Sequence, residues 1–203
     1  MVNRRFHELD LLLALILFAL AVSGFSPVDQ TTWMLEVFPI FIGLPVLVVT
    51  SKIFPLTPLV YRLIFLHMLV LIVGGHYTYA QVPLGFWMED WFGFTRNHYD
   101  RIGHFLQGFV PALIAREILL RKTRLHRGKI LTFLVLCVCL AISASYELLE
   151  WGCALALGQG ADAFLGTQGD PWDTQEDMFL AFIGAGAALF LLTKKQDRQL
   201  KVL

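Results

Sequence analysis

Charge is scarce in this chain. Only 16% of its 203 residues are Asp, Glu, Lys or Arg, against 57% hydrophobic, and the mean hydropathy is +0.64. That balance excludes a water-soluble domain, whose surface needs more polar area. Cysteine is scarce too. Cys137, Cys139 and Cys153 form neither a CxxC pair nor a disulfide framework, which excludes a disulfide scaffold and a thiolate metal site. Cys137 and Cys139, two apart, face away from each other on a helix, and all three are expected as small core residues. No HExxH run, no internal repeat and no long polar stretch is present; the longest connection runs from Gln81 to Asp100. The formal net charge of zero reflects segregation of the two signs along the chain; the partner to expect is the lipid bilayer, and no nucleic acid.

What the chain does have is apolar length. Crossing hydrocarbon takes about 17 to 25 residues, and six windows qualify: Leu9 to Phe25, Leu35 to Phe54, Leu59 to Ala80, Arg101 to Leu120, Ile130 to Leu157 and Asp173 to Thr193. A lipid-exposed backbone must satisfy its own hydrogen bonds, so the fold class expected is all-α: one integral membrane domain over 1–203, a polytopic bundle of about six helices. Pro27, Pro55, Pro58, Pro83, Gly85 and the Gly158 to Pro171 stretch fall in the connections, whereas Pro39, Pro45 and Pro111 lie inside spans and predict kinks. The first window, preceded by Arg4 and Arg5, resembles a secretory signal, but its apolar run exceeds the about 7 to 15 residues of a signal core; a retained anchor is expected.

Charge sorting sets direction. With both termini cytoplasmic, Arg96 and Arg101 are the two Lys or Arg residues left outside, of sixteen in the chain, as the positive-inside rule requires. Of the sixteen acids, only Glu8, Asp10, Glu117 and Asp197 fall inside. Phe86, Trp87, Trp91, Phe92 and Phe94 crowd the outer Gln81 to Asp100 connection, which is expected to lie in the interface as part of an aromatic belt.

Several ionisable residues sit in the outer halves of the spans; an ionised side chain near the middle of a bilayer helix costs roughly 2.5 to 3.5 kcal/mol on insertion scales, so such groups call for partners. Asp100, His104 and Gln107 share a face of the fourth span. In the fifth, Glu147 and Glu150 are helical neighbours about 15 and 10 Å below the outer end at about 1.5 Å per residue. Two carboxylates at that depth require a cation or a shared proton, supplied by a metal ion, Arg101, a protonated histidine or the acids themselves. The stretch from Asp162 to Asp177 holds four Asp and one Glu and no Lys or Arg; Asp173 followed three residues later by Glu176 predicts a capping box for the sixth helix, while Asp177, one turn deeper, points to the depth of His104 and Glu150. His76 closes the third span on the same side, and His67, on roughly the opposite face, reads as a core histidine. Gly184 and Gly186 among alanines predict close approach of a neighbouring helix.

The runs RNHYDRIGHFLQGFVPALIARE, YELLEW, FLGTQGDPWDTQEDM and SPVDQTTWMLEVFP resemble the YjdF family of bacterial inner-membrane proteins over nearly the whole chain. The resemblance implies location in the inner (cytoplasmic) membrane and multi-pass topology; it implies no activity. A fainter similarity is to VanZ-like membrane proteins, carried by Asp100, Arg101, His104 and Phe105, by Glu147 and Glu150, and by Asp177 with Gly184. Arg101 replaces the usual Lys, and Ala181 stands where that family has Asn, removing a side-chain donor. That similarity implies a cell-envelope role.

Three functions follow as expectations. One is an outward-facing site in which Glu147, Glu150, His104 and Asp177 are catalytic, or His76, His104, Glu150 and Asp177 bind a divalent metal, acting on a lipid or envelope precursor; no residue is assigned to an organic cofactor. Another is a proton-linked carrier using Glu147 and Glu150, disfavoured because Glu117 and Arg116 are expected to snorkel rather than form a matching inner set. The third is a scaffold whose buried ion pairs only fix helix register.

Overall fold

Apolar runs with no aqueous partner for their backbone close their hydrogen bonds internally, and the computed structural model of the chain is helical throughout. It describes residues 2–157, 164 and 166–203. Among these are seven helices and no strand: α1 (Val2–Ser23), α2 (Gln30–Thr50), α3 (Pro58–Tyr77), α4 (Pro83–Phe92), α5 (Tyr99–Lys122), α6 (Lys129–Leu157) and α7 (Asp173–Leu200). Gly158 and Asp162, expected in the outer connection, lie outside the described residues. In α2, α3, α6 and α7 there is a segment long and apolar enough to cross a membrane. Pro39, Pro45 and Pro111 remain inside unbroken helices. The aromatic connection contains α4, which buries Gly85 and exposes Phe86, Trp87, Trp91 and Phe92.

The helices form two groups, α1–α2–α3 and α5–α6–α7, joined where α3 packs on α5. Ile16, Leu20, Val37, Ile40, Val60, Ile64, Val110, Leu113, Val135, Ala185 and Ala188 meet in one core. Around it polarity is inverted relative to a water-soluble protein. On α6, Glu147 is 7% exposed while Leu148 and Leu149 are 64% exposed, which is the arrangement lipid favours and water penalises. The cysteines divide accordingly: Cys139 is core, but Cys137 is exposed and Cys153 half-buried, so the expectation of three core cysteines is corrected for those two.

The α5–α7 seam sets how close the two polar helices come. A β-carbon on Gly108 would overlap the Ala181 carbonyl, and one on Gly184 would overlap the Phe105 carbonyl. Ala181 therefore stands where two backbones touch, leaving no room for a larger side chain. Gly186 faces open space and does not share this role.

Helix ends are satisfied in trans. Pro58 opens α3 without a side-chain cap, leaving amide donors to fill. The Thr57 N–H and hydroxyl both donate to the Glu117 carboxylate of α5, at 3.0 and 2.9 Å, and the Leu59 N–H donates to Gln199 Oε1 of α7 at 2.9 Å. Glu117 is fully buried and also accepts from Arg121 at 2.8 Å and Gln196 at 3.4 Å. Arg116, also buried, donates to Gln196 and Asp197, each at 2.8 Å. The expected snorkelling of Glu117 and Arg116 is thus replaced by a closed network that clamps α3, α5 and α7 at the basic end. The fold supplies fixed partners, so neither side chain need reach water.

Candidate functional site

At the opposite, acidic end, Asn97 organises the entry to α5. It is buried, its Nδ2 donates to the Val82 carbonyl at 3.0 Å, and its Oδ1 accepts the Tyr99 N–H at 3.1 Å, a local cap on the helix start. Its backbone exchanges two hydrogen bonds with the Gln168 side chain, at 3.0 and 2.8 Å, pinning this loop to the turn before α7.

Arginines neutralise the rim. Arg96 lies 3.1 Å from Asp170 and 2.8 Å from Asp173, while Arg101 pairs with Asp170 at 3.1 Å and also with Glu176. The expected capping box is not formed: Trp172 holds the N-cap position of α7 and makes no side-chain cap. Asp173 instead enters the first turn, where the helix dipole favours an anion, and turns to Arg96. Asp170 takes over part of the capping, accepting the Trp172 N–H at 2.9 Å. That bond first, then Arg96 and Arg101, holds the Asp170 carboxyl below its ordinary range. Arg101 is thereby committed to the rim and is not the counter-ion of Glu147 and Glu150.

Beneath the rim, three helices converge on His104, which is 5% exposed. Its Nε2 lies 3.4 Å from Asp100 on its own helix and 3.8 Å from Asp177 on α7; its Nδ1 lies 3.7 Å from Glu147 on α6. Asp100, His104 and Asp177 each present a ligand-type atom within 4.8 Å of the others. The Tyr146 ring approaches His104 edge-on at 6.4 Å, and its hydroxyl donates to Glu36 of α2 at 3.4 Å. Glu150, half-buried, lies three residues along α6 from Glu147, on the neighbouring helical position.

The atoms of this cluster lack hydrogen-bond partners, as do Arg96 Nε, His98 Nδ1, Arg101 Nε and Asp173 Oδ1 of the rim above it. His104 Nδ1, Gln107 Oε1, Ser143 Oγ, Glu147 Oε1 and Asp177 Oδ1 are all buried with no hydrogen-bond partner in the protein. Buried polar atoms are nearly always partnered, by protein, water or ligand, because each orphan costs about 1–3 kcal/mol. Each of these atoms therefore calls for a partner that the chain itself does not supply, water or a ligand.

Of the residues singled out in the sequence, His104, Glu147 and Asp177 meet directly and Glu150 borders them. His76 is held apart: its Nδ1 donates to the Ser23 carbonyl at 2.8 Å, tying α3 to α1, and Asp100 fills the metal-type position given to it. Glu36, Ser143 and Tyr146 are additions. An acid inside an apolar run is costly, and Glu36 in WMLEVFP carried that signal; Ser143 and Tyr146 carried none.

The family model described as "Predicted membrane protein (DUF2238)" matches residues 9–198. The chain belongs to the DUF2238 family. It is 56% identical over 182 residues to "Inner membrane protein YjdF" of Escherichia coli strain K12, covering 90% of this chain and 87% of that one. No solved structure matches. Like that relative, this DUF2238 protein is a multi-pass protein of the bacterial inner membrane, in keeping with its apolar helices. The family match spans every residue of the acidic-end cluster and all but Gln199 of the basic-end clamp.

Proposed function

We propose that the acidic end is an intramembrane acid–base site, opening to the non-cytoplasmic side, that acts on an amphiphilic lipid or envelope precursor. In this reading the chain is one membrane domain with α1, α2, α3, α5, α6 and α7 as six spans and both termini cytoplasmic. His104, Glu147, Glu150 and Asp177 carry the proton transfers, and Asp100 and Glu36 tune them.

One contrast carries the reading. At the basic end Glu117, Gln196 and Arg116 are fully partnered, as a register-fixing network should be; at the acidic end nine buried polar atoms have no hydrogen-bond partner among the described residues, five of them beneath the arginine rim. A scaffold has no use for the second arrangement. A carrier needs access from both sides, which the closed Glu117 clamp does not favour. A substrate reaching a site one or two turns below the surface from within the bilayer must itself have an apolar part, and that favours a lipid-linked molecule.

Topology is checked by cysteine labelling in intact cells. In a chain freed of its native cysteines, Gly93→Cys should react with an impermeant thiol reagent and Arg124→Cys should not; the reverse pattern would invert the site's orientation. Function is checked by profiling lipids and lipid-linked precursors in a deletion strain. An altered species should return to normal with the wild-type gene and stay altered with Glu147→Gln. An unchanged profile in the deletion strain would overturn the substrate class.

A further inference from the structure

The separations around His104 distinguish two ways of balancing its carboxylates. A protonated imidazole would draw an acid in to a charge-assisted hydrogen bond of about 2.7–2.9 Å. Here the Nε2 separations are 3.4 and 3.8 Å, too long for that. They suit another geometry: two ligand atoms each about 2.1 Å from one ion, at a tetrahedral or somewhat wider angle, stand about 3.4–3.8 Å apart, and the three ligand atoms of Asp100, His104 and Asp177, within 4.8 Å of one another, need only a small inward shift to share one ion.

We infer that Asp100, His104 and Asp177 form a binding site for a first-row divalent cation such as zinc or manganese. Asp100 and His104, four residues apart on α5, supply an oxygen and a nitrogen from one helical face. Asp177 arrives from α7, held close because Gly108 and Gly184 let the two backbones touch. One imidazole nitrogen and two carboxylate oxygens form a mixed set that suits zinc and leaves a fourth position open for water or substrate. Two carboxylates and a neutral imidazole balance the double charge, and the nearby cations, Arg96 and Arg101, are already paired with Asp170, Asp173 and Glu176.

Glu147 takes the role metal-binding histidines require. It lies 3.7 Å from Nδ1, on the far side of the ring from Asp100 and Asp177. At 3.7 Å the two form no hydrogen bond as they stand; closing by about 0.8 Å would direct Nδ1–H at that carboxylate and leave Nε2 unprotonated and aimed at the ion. The buried orphans follow: Nδ1 and Glu147 Oε1 face each other, and Asp177 Oδ1 faces the ion or its water. Glu147 is a positioning residue in this arrangement, and Glu150 and His76 are not ligands.

The inference rests on the acidic end being the functional site, in which His104 and Asp177 would hold the ion in place of carrying protons, and its test is separate. Full-length protein purified in detergent without chelator should carry one zinc or similar ion per chain by elemental analysis. Asp177→Asn and His104→Asn should lose it, and Glu147→Gln should keep it with affinity reduced about 10- to 100-fold. Folding of each variant is judged by gel filtration and circular dichroism. Should either ligand variant fail to fold, wild-type protein stripped by chelator gives the answer: adding zinc should raise its thermal midpoint. Folded wild-type protein that is metal-free as purified and shows no thermal shift with zinc, manganese or iron(II) would overturn the site. In that event a precursor profile still restored only by wild type would leave the acid–base reading standing. Bound metal with an unaltered profile would do the opposite.

Discussion

Glu117→Ala is expected to destabilise the fold by about 3–5 kcal/mol, the range for removing one partner of a buried charged network. The loss would not stop at one ion pair. Glu117 accepts from the Thr57 amide and hydroxyl, from Arg121 and from Gln196, so alanine would leave the Thr57 amide and hydroxyl at the start of α3 without their acceptor, while Arg121 and Gln196 would keep only the Pro55 and Leu113 carbonyls. Glu117→Gln keeps one acceptor oxygen and should cost less. A useful comparison is the exposed pair of Glu8 and Arg62, whose bonds at 2.5 and 3.1 Å are just as short. Solvent screens it, and Glu8→Ala should cost under about 1 kcal/mol. Reversible unfolding in mixed micelles gives both numbers; a Glu117→Ala variant as stable as Glu8→Ala would mean the clamp does not hold the basic end.

At the acidic end the sign should reverse. In protein stripped of divalent ions, Glu147→Leu is expected to gain about 1–3 kcal/mol, because it removes a buried carboxylate oxygen that has no hydrogen-bond partner and its desolvation cost. Leucine also suits the helix, whose neighbouring Leu148 and Leu149 face outward. The same variant should fail to restore the precursor profile of the deletion strain. Stability gained with function lost is the mark of a site kept strained for its task. A loss as large as that of Glu117→Ala would instead make Glu147 a structural strut, and the acid–base reading would fall.

The two ends of the bundle also separate what residue order reveals from what it conceals. Asp100 and His104 were legible as a pair because four residues make one helical turn, and Asp177 was legible because an acid that caps nothing and precedes an apolar run needs a reason to be there. His76 was misplaced because depth along a helix says nothing about azimuth relative to helices elsewhere in the chain; its ring turns to the Ser23 carbonyl. The Asp173 cap failed for a related reason. Local spacing permitted it, but Arg96, more than seventy residues earlier, offered a stronger partner than a backbone amide. Glu117 and Arg116 read as snorkelling side chains because their partners, Thr57 and Gln196, are polar residues of ordinary kind far along the chain.

Length, hydropathy and charge order alone determined that the chain is helical, that it belongs in a membrane and that its acids gather toward one end, because each of these follows from what a backbone or a charge costs in hydrocarbon. Only the packing of α5 on α7 through Gly108 and Gly184, with α6 laid beside them, decided which of those acids meet His104 and which polar atoms are left orphaned. Convergence of side chains from separate helices is a property of how the backbones touch, and no single segment encodes it.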